Sequence, residues 1–255
     1  MALLRYRPGP PLDQFVDCFW RSEREEPQTA SEHNLPTGAA YLTFSRTGES
    51  KGGIVHGPQS SFYVSGPKPK GAAIGIAFRP GAAGAILGVP MAEIADHHAP
   101  IEAFWGKRAS ELHERLCADQ DAQAAFRVLE EQLSSRIHKP LLMHPAVAMS
   151  LRPPWSARSR IRIAELERQA GYSARHFISL FRAAVGLTPR QFYRIRRFSV
   201  VLRALTREKA ELAELAIETG YADQSHMTRE FRELSGTTPT RYNPPTFESP
   251  HHHLI

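Results

Sequence analysis

The sequence predicts an α+β protein. It reads as an N-terminal small β-barrel or sandwich with helices, followed by a C-terminal all-α domain of about seven helices with two helix-turn-helix motifs. Three observations carry that prediction. Short alternating apolar stretches, divided by glycine and proline turns, fill the first hundred or so residues. Apolar patterns of helical period follow them. Past residue 156, one arrangement of caps and apolar positions occurs twice, 49–50 residues apart. The 255 residues suffice for one large or two ordinary domains, and 42% apolar with 23% charged content is that of a folded chain.

Strands are expected at 39–44, 61–65 and 73–78, and amphipathic helices at 109–116 and 122–137. In the second helix Ala122, Ala125, Phe126, Leu129 and Leu133 fall on one face at spacings of three and four. That face either covers the barrel core or makes a dimer contact. The longest strongly apolar stretches, near 72–78 and 82–89, fall far below the roughly 20 residues of a membrane helix, so no membrane association is expected. Residues 1–20 carry Arg5, Arg7, Asp13 and Asp17 and no long apolar core, so a secretory signal is not expected and the expected location is cytoplasmic.

Two cysteines, Cys18 and Cys117, exclude a disulfide scaffold and an all-cysteine zinc site. His33, His56, His97 and His98 show no H-x-H spacing with a nearby carboxylate, and the adjacent pair sends its side chains apart. No G-x-S-x-G, P-loop or G-x-G-x-x-G occurs. Cys117 sits in a locally acidic helical stretch with no evident activating base. No catalytic residue, cofactor or metal is therefore expected.

The segment 138–155 holds four prolines, and the pair Pro153-Pro154 cannot lie inside a helix. The expected organisation is a sensor or dimerisation domain over 1–140, a linker over 141–156, a tandem helix-turn-helix domain over 157–243, and a flexible tail over 244–255 that includes His251–His253. Within 157–243, Ile163-Ala164-Glu165-Leu166 recurs as Leu212-Ala213-Glu214-Leu215, and Gly171-Tyr172 as Gly220-Tyr221. Phe181-Arg182 recurs as Phe231-Arg232, and Gly186-x-Thr188-Pro189 as Gly236-x-Thr238-Pro239. Each unit reads as a short helix (161–170 or 211–219) stopped by glycine, a tight turn, and a second helix (174–185 or 224–235). Ser173 and Asp223 are the expected N-caps of the second helices. Phe177, Ile178 and Phe181 are the expected core residues of the first unit, and Met227, Phe231 and Leu234 those of the second. A helix over 189–206 joins the units, started by Pro189 where a missing N–H costs nothing. One helical hairpin of this kind is weak evidence; two with matching caps and cores are strong.

Charge follows the same division. Residues 1–150 hold 15 basic and 16 acidic side chains, whereas 151–207 hold 13 basic, all arginine, against 2 acidic. Residues 208–243 reverse the sign, with 4 basic against 7 acidic. So one-sided an arginine excess points to nucleic acid, since the guanidinium fork suits phosphate and guanine edges. It also suggests that the first unit and the joining helix supply most of the electrostatic attraction.

These residues resemble the DNA-binding domain of AraC/XylS-type transcription regulators. The stretch AELERQAGYSARHFISLFRAAVGLTP and the run Gly220-Tyr221-Ala222-Asp223-Gln224-Ser225-His226, followed by Phe231-Arg232, carry the likeness over about a third of the chain. The resemblance implies two helix-turn-helix units bridged by a long helix. More weakly, Leu35-Pro36-Thr37-Gly38, Phe78-Arg79-Pro80-Gly81-Ala82-Ala83, Leu87-Gly88-Val89-Pro90 and Phe104-Trp105-Gly106 are similar to the sensor domain of one branch of these regulators. That branch usually carries acidic residues where this chain has Thr37 and Tyr41.

Sequence-specific binding to double-stranded DNA is the expected function. The outward residues of the two recognition helices are Arg175, His176, Ser179 and Arg182, then Gln224, Ser225, His226, Thr228 and Arg229. Arg175 and Arg229 are the expected guanine readers and Gln224 the adenine reader; Ile178 matches a base-reading position of the family but is read as core. Arg190, Arg194, Arg196 and Arg197 are expected to meet phosphates. A small-molecule effector of the N-terminal domain, RNA polymerase and a second copy of the chain are the further candidate partners. Two alternatives stay open: a β-barrel enzyme fused to a DNA-targeting module, and a ligand-independent DNA binder whose N-terminal domain meets a protein.

Overall fold

The computed structural model describes residues 2–46, 52–118, 121–137, 141–151, 173–207, 211–242 and 252–254. The expected helix at 161–170, Gly171-Tyr172 and Pro153-Pro154 lie outside these residues.

The N-terminal half is built on a six-stranded antiparallel sheet. Its strands are β1 (Ala2–Tyr6), β2 (Val16–Arg24), β4 (Tyr41–Ser45), β5 (Gly53–His56), β7 (Gly71–Phe78) and β8 (His98–Pro100), in the order β1-β2-β7-β4-β5-β8. Alternation explains the inner face: β4 buries Leu42 and Phe44, and β7 buries Ile74, Ile76 and Phe78. A bulge between Val16 and Cys18 lets Val16 and Phe19, three apart, both face the core. A smaller sheet holds β3 (Glu32–Asn34), β6 (Tyr63–Ser65) and β9 (His252–Leu254), in the order β6-β3-β9. The tail expected to be flexible is thus, over these three residues, a strand whose backbone pairs with β3.

Four helices lie between β7 and the second half of the chain: α1 (Ala83–Leu87), α2 (Glu102–Trp105), α3 (Lys107–Ala118) and α4 (Ala122–Ser134). Leu112 and Leu116 of α3, and Ala125, Phe126, Leu129 and Leu133 of α4, are buried in the sheet's core. Their apolar stripes therefore cover the sheet. Tyr6, Phe19 and Phe126 stack with ring centres 5.7–6.3 Å apart, tying α4 to β1 and β2.

The second core belongs to the helices α5 (Pro145–Ser150), α6 (Ala174–Val185), α7 (Pro189–Arg207), α8 (Leu212–Glu218) and α9 (Gln224–Ser235). The segment expected as a linker contributes Ala146 and Val147 of α5 to that core, so it is no open spacer there. Tyr193 of α7 donates to the Ser150 carbonyl at 3.0 Å and holds the end of α5. Leu35, from the N-terminal half, is buried in the same cluster. The long helix α7 turns Phe192, Ile195, Phe198, Val201 and Leu202 inward, the spacing of one helical stripe. Thr188 and Gln191 form a capping box at its start: Thr188 Oγ1 accepts from the Gln191 N–H at 3.2 Å, and Gln191 Oε1 accepts from the Thr188 N–H at 2.9 Å.

Candidate nucleic-acid interface

The two recognition helices are constructed alike. Ser173 Oγ accepts from the His176 N–H at 3.3 Å and starts α6; Asp223 Oδ1 accepts from the His226 N–H at 2.7 Å and starts α9. Phe177, Phe181 and Val185 turn inward from α6, while Met227, Phe231 and Leu234 do so from α9. Ile178 is only half-buried. Each helix ends on a left-handed glycine, Gly186 at φ +87° and Gly236 at φ +75°.

With the apolar rows inward, the polar rows face out. Arg175, His176, Ser179 and Arg182 are exposed on α6, and Gln224, Ser225 and Arg229 on α9. Thr228 is half-buried beside them. On α9 they line a shallow open groove with Arg232, Glu233 and Thr238. Arg232 was missing from the sequence-derived set, although it is the counterpart of Arg182 in the repeated Phe-Arg pair. His226 departs from expectation: its Nδ1 accepts from the Ala222 N–H at 3.4 Å, and its ring packs edge-on to Tyr221 at 5.3 Å. The imidazole therefore closes the turn before its own helix.

The phosphate candidates divide. Arg190 is exposed. Arg194 and Arg197 instead reach from α7 to α9. Arg197 Nη2 donates to both Glu230 oxygens at 2.7 Å, its Nε donates to Oε1 at 3.2 Å, and its guanidinium lies 4.2 Å over the Tyr221 ring. Arg194 pairs with Glu230 at 3.2 Å and with Glu233. Burial lowers the Arg197 pKa, but the Glu230 bonds more than reverse that, so it ends raised. Arg196 is half-buried. Its pKa is lowered by burial and by Arg203, against the opposing influence of Tyr41 and Asp17. Two of the four arginines, Arg194 and Arg197, thus fasten the joining helix to α9. The acidic excess of the second unit explains why: Glu230 and Glu233 neutralise arginines of the joining helix.

The N-terminal half touches the end of each recognition helix. A Cβ built on Gly186 would stand 2.9 Å from the Met91 carbonyl oxygen and 3.0 Å from Pro58 Cγ. One built on Gly236 would stand 2.6 Å from His33 Cε1 and 2.7 Å from Phe62 Cζ. His33 Nδ1 lies 2.7 Å from the Ser235 carbonyl oxygen and so carries its proton there, and its ring packs on Phe62 at 4.4 Å.

Two further side-chain groups differ from expectation. Cys117 has a histidine one turn away, with His113 Nε2 at 3.5 Å from Sγ. That nitrogen also faces the Ser45 carbonyl at 3.0 Å, which makes it a donor and not a base. The histidines read as unconnected are partly joined: β5 and β8 pair His56 with His98, and their Nδ1 atoms stand 3.0 Å apart. Thr43 Oγ1 is 2.9 Å from His56 Nε2, and Tyr63 Oη is 3.5 Å from His56 Nδ1. Burial, then His98 and Lys68, pushes the His56 pKa down to about 4. Burial, then Glu32 and Tyr41, pushes Tyr63 up to about 12. Neither β5 nor β8 was expected as a strand, so the sequence held no signal for this pairing. Among the described residues no three of His, Cys, Asp and Glu converge on one metal position.

A model described as a helix-turn-helix domain matches residues 166–244. Those residues belong to the AraC-type helix-turn-helix family. A second model, a domain of unknown function (DUF6597), matches residues 4–100. The AraC-type region is similar to the probable transcriptional regulator LumQ of Photobacterium leiognathi, 31% identical over 32% of this chain and 34% of that one. It is also similar to the HTH-type transcriptional regulator ExsA of Pseudomonas aeruginosa, 28% identical over 31% of this chain and 29% of that one. The likeness thus spans about a third of each of these relatives. Among solved structures, ToxT from Vibrio cholerae aligns over 89% of this chain and 95% of its own, at a TM-score of 0.39 and 11% identity. AraC-type helix-turn-helix regions bind DNA and regulate transcription. No helix among the described residues is long and apolar enough to cross a membrane.

Proposed function

We propose that the chain is a sequence-specific transcription regulator that lays α6 and α9 in successive major grooves of one duplex. The observation that carries this reading is the pair of equally capped recognition helices, each with an outward polar row, joined by one continuous helix. The 19 residues of α7 span about 28 Å at 1.5 Å per residue. With the width of the modules added, that suits recognition helices about one DNA turn, roughly 34 Å, apart. Arg175 and Arg229 read guanines, Gln224 reads adenine, and Ser179, Ser225 and Thr228 add direct or water-mediated contacts. Arg190 and Arg182, with Arg232, meet phosphates. One chain presents both helices, so this reading needs no homodimer; RNA polymerase is the partner that a promoter-bound regulator would meet.

The N-terminal half is the control element in this reading. It rests against the C-terminal glycine of each recognition helix, so a small-molecule effector that shifted it would change how firmly the two helix ends are held while α7 keeps their spacing. The geometry of Cys117 and His113 supports no catalytic role.

Selection of bound sequences from a random DNA pool tests the function. The expected result is two conserved boxes whose centres lie about 10–10.5 base pairs apart. Absence of enrichment, or a single short box, would overturn it.

A further inference from the structure

The segments that touch the two recognition-helix ends converge on one side-chain cluster. Pro58, against Gly186, lies two residues after His56; Phe62, against Gly236, immediately precedes Tyr63. We propose that His56, His98 and Tyr63 bind a divalent transition-metal ion of the zinc type, which fastens these segments together.

The donor spacing supports this. Zinc holds imidazole nitrogens at about 2.0–2.1 Å, so two of them on one ion stand about 2.9–3.4 Å apart for angles from square to tetrahedral. The two Nδ1 atoms stand 3.0 Å apart, and Tyr63 Oη lies just beyond that range, 3.5 Å from the first of them. Backbone pairing imposes the arrangement, because His56 and His98 are direct partners in the β5–β8 ladder. The Tyr63 ring packs edge-on to His98 at 4.6 Å, which brings the phenol in from the other sheet. Thr43 Oγ1, 2.9 Å from His56 Nε2, supplies the outer hydrogen bond that orients a ligating imidazole and leaves Nδ1 as the metal-facing atom.

Proton balance is simple. Without metal, two nitrogens at 3.0 Å share one proton, carried by either ring as an Nδ1–H. When the ion takes its place, that proton is exchanged through solvent for one on Nε2 of the same ring, so both imidazoles ligate as neutral Nε2–H forms. Tyr63 ligates as phenolate, with its phenol proton released to solvent. Imidazole nitrogens with one phenol oxygen suit zinc, copper or nickel better than magnesium or calcium. His98 is exposed, which gives an ion access from solvent.

The metal would join the edge of the six-stranded sheet to β6 of the smaller one. The adjoining chain is already cross-linked, with the Gly57 N–H donating to the His97 carbonyl and the Asp96 N–H to the Pro58 carbonyl, both at 3.0 Å. A clamp there would stiffen the surfaces behind Gly186 and Gly236 together. The site stands independently of DNA recognition; its influence on operator binding rests on the proposed function.

The test is metal titration of the full chain with His251–His253 replaced by glutamine, since consecutive histidines bind metal on their own. Cobalt(II) is followed by visible absorption, and zinc(II) by competition with a chromophoric chelator. The expected result is saturation at one equivalent, with His98→Ala and Tyr63→Phe each weakening affinity by about tenfold or more. Neither change empties a buried core, so both variants stay folded and readable. No saturable binding by the parent, or the parent's affinity retained in both variants, overturns the proposal whatever the DNA experiments show.

Discussion

Helices α6 and α9 have the same length and the same kind of caps at both ends, yet they are fastened to the molecule by different forces. Helix α6 is held by apolar contact: Phe177, Phe181 and Val185 fill the second core, and Gly186 rests near Met91 and Pro58. Helix α9 has an equivalent apolar row and an ionic one besides, in which Glu230 and Glu233 hold Arg194 and Arg197 of α7. The difference teaches that charge counted along a sequence is not charge offered to a partner. The arginine excess of 151–207 and the acidic excess of 208–243 are partly each other's counter-ions. Arg194 and Arg197 are neutralised by Glu230 and Glu233, which narrows the contrast, but the first unit and the joining helix remain the strongly basic part. Part of that charge fixes the angle at which the second unit leaves α7.

The largest effect that would break this contrast is expected from Glu230→Gln. Its side chain is only 10% exposed and serves two arginines, so its loss strands charge in a poorly solvated seam. Chemical denaturation should show a loss of about 3 kcal/mol. A change within about 0.5 kcal/mol, as for an ordinary surface pair, would make the ionic row incidental. Next come Arg175→Ala and Arg229→Ala. Each should weaken operator binding by about 1–3 kcal/mol and relax preference at one position of its own box. If both changes relaxed the same box, the assignment of one box to each helix would be wrong.

Smaller effects sharpen the comparison. Asp223→Ala and Ser173→Ala should each destabilise by about 1 kcal/mol. Asp223 should cost more, because a carboxylate also meets the positive end of its helix. Thermal melts of the two variants decide their order. Smallest is Arg190→Ala, which should reduce the slope of log affinity against log salt by about one. Arg194→Ala and Arg197→Ala should leave that slope unchanged while lowering stability. A flatter slope in those two would return them to the phosphate-contacting set.

Helix ends were legible wherever local chemistry decides them. Ser173 and Gly186 bracket α6 as expected, and Asp223 and Gly236 bracket α9, because caps and left-handed glycines act within one turn of chain. The apolar rows of α4 and α9 were legible for the same reason. What escaped was decided by contacts distant in sequence. Strands β1, β2, β5 and β8 were not expected, since short sheet strands draw their definition from neighbours. The roles of Arg194 and Arg197 turn on partners 33–39 residues away on another helix. His56 and His98, 42 residues apart, meet only because their strands pair. His226 has the position of a DNA contact in its helix, but the adjoining turn captures its ring.

The central claim is that one rigid helix sets the spacing of two reading heads, and altering the DNA between the boxes tests it most directly. Once the selected operator is known, five base pairs inserted between its boxes turn the second to the opposite face of the duplex. The account predicts that specific affinity then falls to that of a single box. Undiminished affinity for the lengthened operator would contradict it.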